Sequence, residues 1–171
     1  MSTSALSPEF TLLFSQTAEY ALRAVVWLAT QPAPRTTRQI AAVTKVPAGY
    51  LSKVLQALGR ADLVRSQRGL HGGFTLGRTP DQITVLQAIN AVDAIPRIRA
   101  CPLGLDAHCE QLCPLHQRLD DALATVEQAF DHATIADLIS HPSRIKPLCD
   151  IVADTPKTKA TRKHRPRRQR V

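Results

Sequence analysis

The sequence predicts a mainly α-helical fold that carries one small β-hairpin. Three observations point there. Aromatic residues make up only 4% of a chain that is 44% hydrophobic, so the core must be built mostly from Leu, Ile, Val and Ala. Leu and Ala are strong helix formers. Apolar residues recur at steps of three and four in residues 15–30, 47–58 and from 114 onward. One Gly-rich stretch, Gln67-Arg68-Gly69-Leu70-His71-Gly72-Gly73, separates two short extended segments. Its glycines supply the positive φ that a tight reversal needs.

Taken in order, Ser15 to Thr30 reads as a helix with Leu22, Val25, Val26 and Ala29 on one face. Two prolines between Gln31 and Pro34 end it. Thr36 or Thr37 caps a short second helix over Arg38 to Val43, and Thr44 to Val46 form a turn. Pro47 suits the first turn of a third helix, where its missing N–H costs nothing. That helix runs through Tyr50, Leu51, Val54, Leu55 and Leu58 and ends near Gly59 to Ala61. Leu63 to Ser66 and Gly73 to Gly77 are the strands of the hairpin, and Thr84 starts a fourth helix to Val92. Pro114 opens the longest helix, whose stripe of Leu115, Leu119, Ala122, Leu123, Val126, Phe130 and Ala133 is read as continuous as far as His141-Pro142. The expected organisation is a domain over 11–95, a cysteine-containing loop over 96–113, a dimerisation helix over 114–141 and a basic tail without a packed core over 142–171.

The net charge of +8 is unevenly placed. Residues 157–171 hold eight Lys or Arg and no acid. Residues 19–99 hold eleven basic and four acidic residues, and residues 100–156 hold three basic and nine acidic. A basic front half fits a polyanionic partner. No run approaches the ~20 apolar residues of a membrane span. The N-terminus shows no basic stretch followed by an apolar one. A cytoplasmic chain with no membrane partner is the expectation.

Two short helices, a three-residue turn and a hairpin make a winged helix-turn-helix. The major groove of DNA admits one α-helix, whose N-terminal residues reach base edges. Ala48, Gly49, Ser52 and Lys53 lie near that end of the third helix, and the Tyr50 hydroxyl is within reach of a phosphate. Lys45, Lys53, Arg60 and Arg65 are the expected phosphate contacts. Arg68 sits at the hairpin tip, where an Arg can enter the minor groove. Gly72 and Gly73 shape the turn behind it.

Four cysteines are present, and three of them form Cys101-x7-Cys109-x3-Cys113, with His116 three residues on. Thiolates are soft ligands suited to iron–sulfur clusters or zinc. Zinc would take Cys101, Cys109 and Cys113 with His108 or His116. A thiol switch and a loop with no cofactor remain open alternatives. Cys149 stands apart as a bystander. No Gly-rich phosphate loop or paired-carboxylate motif supports an enzyme, and no small-molecule substrate is expected.

The strings YALRAVVWLA, TTRQIAAVTKVPAGYLSKVLQALGRADLV, RSQRGLHGGFTLGR and ITVLQAINAVDA resemble the IscR/NsrR-type (Rrf-type) family of winged helix-turn-helix regulators, over about residues 14–140. The resemblance implies a homodimer on a double-stranded DNA operator, acting as a transcriptional regulator with repression as the expected sign. It implies pairing of the long helices through Leu115, Leu119, Leu123, Val126 and Phe130. It gives Ser52 the major-groove position and Arg68 the minor groove. Where relatives carry a Glu-type reader this chain has Ser52, so their operator preference does not transfer. Iron–sulfur members carry three cysteines, often C-x5-C-x5-C, binding a 2Fe-2S or 4Fe-4S cluster. Cys101 and Cys113 keep the outer separation, whereas Cys109 is displaced by two places. IscR-like members add a His where His116 stands; NsrR-like members draw an acid from the partner, at the position of Glu19.

Overall fold

The computed structural model describes residues 14–69, 72–102, 111–142 and 147–148. Cys109, His108, Cys149 and the basic segment 157–171 lie outside the described residues. The Ser15 side chain accepts the Ala18 N–H and starts α1 (Gln16–Ala29). This helix is the centre of the molecule. Ala18, Ala21, Ala24, Val25 and Leu28 are buried, and α1 packs against α2, α3, α4, α6 and β2. Three alanines on the buried face allow close approach from several sides, because an Ala side chain adds little width.

A capping box formed by Thr36 and Gln39 opens α2 (Thr37–Thr44). The chain then turns through Lys45 at φ 58°. Pro47 precedes α3 (Ala48–Arg60) as its cap instead of entering its first turn. Leu51, Val54, Leu55 and Leu58 bury one face of α3 against Ile40, Val25 and Leu63. The hairpin is β1 (Val64–Gln67) antiparallel to β2 (Gly73–Leu76), with Val64 opposite Leu76 and Gln67 opposite Gly73. Arg35 adds a third rung: its N–H donates to the Phe74 carbonyl and its carbonyl accepts the Phe74 N–H, at 3.0 and 2.8 Å. A 3₁₀ turn (Pro80–Gln82) leads to α4 (Val85–Asn90), capped by Thr84.

The C-terminal stretch departs from the sequence expectation. The helix expected to run over 114–141 is two helices, α5 (Pro114–His132) and α6 (Ile135–Ser140). Thr134 and Asp137 form a capping box that starts α6. The Val85 N–H donates to the Ala133 carbonyl and the Ile135 N–H to the Ile83 carbonyl, both at 2.9 Å. These bonds pin the break beside α4. Ile135 is fully buried in the main core, and Leu138 and Ile139 pack on it. Ile135, Leu138 and Ile139 of this segment therefore belong with the core built around α1. The stripe itself divides: Leu123, Val126 and Phe130 pack inward with Ala18, Val85, Ile89 and Ile95, while Leu115 and Leu119 stay exposed.

Candidate nucleic-acid interface

The outer surface of the helix-turn-helix is polar and open. Lys45, Ala48, Gly49, Tyr50 and Lys53 are exposed, as are Arg60, Arg65 and Arg68. Among the described residues no ion pair neutralises Lys45, Lys53, Arg60, Arg65 or Arg68; the pairs there involve Arg23 and Arg97. Ser52 is half-buried and its hydroxyl donates to the Ala48 carbonyl at 3.2 Å. Its oxygen retains acceptor capacity. Gly49 faces open space, so no neighbour in the chain explains its missing side chain.

The N-terminal end of α3 is braced from behind. The Tyr50 hydroxyl and Thr17 Oγ1 stand 2.5 Å apart. The Tyr50 and Tyr20 rings meet edge to face at 5.8 Å, and the Arg23 guanidinium lies 5.8 Å from the centre of the Tyr20 ring. Arg23 Nη1 donates to the Thr44 carbonyl at 3.2 Å, satisfying the end of α2, and Arg23 also pairs with Glu19. The Tyr50 hydroxyl, expected to be within reach of a phosphate, is thus engaged inside the chain. Glu19, the candidate acidic ligand, is held by Arg23.

Close packing of the hairpin depends on two glycines. A Cβ on Gly72 would lie 2.5 Å from the Gln67 carbonyl oxygen, and one on Gly73 would lie 2.6 Å from the backbone of Arg35. The Gly72 N–H donates to the Gly69 carbonyl at 2.9 Å. Arg68 occupies the turn between the strands and is exposed. At the root of the hairpin lies a shallow cleft of about 650 Å³, lined by Leu28, Gln31, Arg65, Leu76, Arg78 and Gln82 among others. Arg78, which sequence reasoning did not single out, has a buried Nε with no hydrogen-bond partner and donates from Nη1 to the Gln82 carbonyl. Arg35 is a second cation missed at that stage; its guanidinium lies over the Trp27 ring at 6.0 Å. Arg35 carries no local sequence signal, because its partners Trp27 and Phe74 lie in α1 and β2.

Cys101 and Cys113 bracket the loop and are half-buried. Cys113 precedes α5 as its cap, and its Sγ lies 3.3 Å from His116 Nδ1. A soft sulfur and an imidazole nitrogen therefore stand side by side, a donor pair that fits zinc or an iron–sulfur centre. Among the described residues no group of three or more His, Cys, Asp or Glu side chains could hold a metal ion; Cys109, the expected middle ligand, is outside them. The loop start is tied to α5 by Arg97. Its Nε and Nη2 donate to Asp120 at 2.7 and 2.6 Å, and its Nη1 donates to Glu127 at 2.9 Å. The Arg97 hydrogen bonds, helped by the Ile98 N–H, hold the Asp120 carboxyl down at about 2 against the opposing pull of desolvation.

Along α5, Leu115, Leu119, Ala122, Val126 and Ala129 step by four, three, four and three. That is the 3.5-residue repeat of a coiled-coil seam. Leu115, Leu119, Ala122 and Ala129 are exposed and Val126 is half-exposed. No described helix is long and apolar enough to cross a membrane.

Residues 14–141 match the family described as Rrf2, iron-dependent transcriptional regulator. The HTH-type transcriptional regulator NsrR of Bacillus licheniformis is 28% identical over 134 residues, covering 76% of this chain and 94% of that one. Among solved structures, T. potens IscR aligns with a TM-score of 0.61 at 25% identity, over 74% of this chain and 85% of that chain. CymR, the global cysteine regulator of B. subtilis, aligns with a TM-score of 0.63 at 27% identity, over 77% and 99%.

Proposed function

The chain belongs to the Rrf2 family of iron-dependent transcriptional regulators, and on that premise we propose that it is a dimeric repressor that reads its operator with α3 and the hairpin and is controlled through its cysteine loop. It is a regulator and not an enzyme, and its partner is DNA.

The observation that carries the reading is the two-sidedness of α3. Leu51, Val54, Leu55 and Leu58 are at most 1% exposed, whereas Gly49 and Lys53 of the same helix, with Lys45 just before it, are exposed, and among the described residues no acid pairs with either lysine. Burial fixes the helix rigidly, and the outer face is left for the major groove. Ser52 and Lys53 follow the exposed Ala48 and Gly49 into it. Arg68 at the hairpin tip takes the minor groove, and Arg60, Arg65 and Lys45 take phosphates. Two copies pair through the α5 seam, so the operator carries two related half-sites.

The cysteine loop holds the sensing group. Cys101, Cys109 and Cys113 are its ligands, with His116 or the partner's Glu19 as the fourth. Cys113 and His116 support the first arrangement by standing together; Glu19 would have to leave Arg23 to serve. When bound, an iron–sulfur centre would supply sensitivity to oxidant, nitric oxide and iron supply. The chain's own part is to join the loop to α5, so that a change at the loop is felt at the dimer helix. An anaerobic preparation tests the sensing chemistry: a brown protein with visible absorption and iron supports a cluster. A colourless one with bound zinc or none favours zinc or thiol chemistry. A titration of operator and scrambled duplex tests the reading itself. Lys53→Ala should weaken both and lower the salt slope by about 1, and equal binding of the two duplexes by the parent would end the proposal.

A further inference from the structure

We infer that Gly49 and Ser52 select a base that presents an amino group in the major groove, adenine or cytosine: the glycine lets the base edge come close to the backbone of α3, and the serine oxygen accepts from the amino group. The inference rests on the reading of α3 as the major-groove helix and adds the class of base it prefers.

Gly49 is a glycine with no internal reason to be one. It lies in the first turn of α3 with an ordinary helical backbone. A Cβ there would meet no atom of the chain within 4 Å. Backbone and packing both accept an alanine, and an alanine would favour the helix. Gly72 and Gly73 are the contrast, since a Cβ on either would run into backbone. A glycine that weakens its helix and relieves no contact inside the chain is accounted for by a contact outside it. On the exposed face of the DNA-reading helix, that contact is the edge of a base.

Ser52 lies three residues on, and so on the same face of the helix. Its hydroxyl proton is committed to the Ala48 carbonyl at 3.2 Å, which leaves the oxygen as an acceptor. In the major groove adenine N6 and cytosine N4 are donors, whereas guanine O6 and thymine O4 are acceptors. To meet guanine or thymine on the strand it faces, Ser52 would have to turn its proton away from Ala48. One hydrogen bond of this kind is worth about a 2- to 10-fold preference.

The test is fluorescence anisotropy of the full chain on a duplex enriched from a random pool, with single-base replacements, in the parent, Gly49→Ala and Ser52→Ala. At one position of each half-site the parent should prefer adenine or cytosine by about 2- to 10-fold, and Ser52→Ala should lose that preference alone. Replacing adenine by purine, or cytosine by pyrimidin-2-one, removes the amino group. The parent should lose the same factor and Ser52→Ala nothing further, and the replacement that acts identifies the base. Gly49→Ala should raise the folding constant in urea by up to about 5-fold and yet bind the operator about 5- to 100-fold more weakly. Its salt slope should match the parent's, because no phosphate contact is lost. Gly49→Ala with parental affinity, or less stable than the parent, overturns the inference. So does a Ser52→Ala that loses a preference for guanine or thymine, or loses none; α3 then stays in the groove by other contacts. A parent that binds operator and scrambled duplex equally overturns the reading of α3 itself.

Discussion

Replacing Leu115 and Leu119 by Ala should separate the dimer without unfolding the protomer. Leu115 is 64% and Leu119 48% exposed. Full burial of a Leu side chain is worth about 1.5–3 kcal/mol. Covering the exposed part of both residues is then worth about 2–3 kcal/mol per protomer, and about 3–7 kcal/mol when a symmetric interface buries two copies. Truncation to Ala removes most of each side chain but leaves its Cβ. The loss should be about 2–4 kcal/mol, or about 30- to 700-fold in the dimer dissociation constant. Sedimentation equilibrium over a range of concentrations reads this directly, with urea unfolding beside it to show that the protomer is intact. Leu123→Ala is the control. Leu123 packs against its own protomer's core, so its loss should lower folding stability and leave the dimer constant nearly unchanged. A double variant that associates as tightly as the parent would show that the seam from Leu115 to Ala129 is not the interface.

Other residues give independent checks. Arg68→Ala should reduce discrimination between operator and scrambled duplex by about 1–3 kcal/mol. Gly72→Ala should do likewise by forcing the Gln67 carbonyl aside, and unchanged discrimination in both would remove the hairpin from recognition. Thr134→Ala removes the cap of α6 and should cost about 1 kcal/mol in urea unfolding; no change would mean the α6 docking does not depend on it. Asp120 titrates near 2 when folded against an ordinary 3.8. Its stabilising effect is therefore complete above the ordinary value and is lost as pH falls from about 4 to 2. Exchange protection of the Ile98 amide should fall across that window in the parent, and Asp120→Asn should lack the step; a step of equal size in Asp120→Asn would assign it to another group.

Much of the N-terminal fold was legible because its signals are local. Ser15, Thr36 and Thr84 each cap the helix they precede, and the glycines at 69, 72 and 73 announce the reversal. The break at Ala133 also had a local signal, Thr134-x-x-Asp137, but apolar periodicity continuing through Leu138 masked it. Periodicity says which face is apolar and not what covers it. One stripe on α5 serves two surfaces, Leu123 and Phe130 inward and Leu115 and Leu119 outward, and only the packing of α4 separates them. The bracing of the candidate site was invisible for a related reason. Tyr50 meets Thr17 across 33 residues of sequence, and Arg97 meets Asp120 and Glu127 across 23 and 30. The Glu19–Arg23 pair lies at helical i,i+4 spacing and was readable, yet the same acid also suited a ligand role, and only the folded chain shows it engaged.

Selection of duplexes from a random pool by the full chain under anaerobic conditions, followed by dimethyl sulfate footprinting of guanine N7 for the major groove and hydroxyl-radical footprinting for the minor groove, puts DNA reading by α3 and the hairpin to direct trial. Two related half-sites should emerge, spaced by about 34 Å or a multiple of it. Each should show a protected major groove flanked by a protected minor groove. Arg68→Ala should lose the minor-groove protection and keep the major-groove pattern. A pool with no enriched sequence, or an Arg68→Ala footprint identical to the parent's, would contradict that reading.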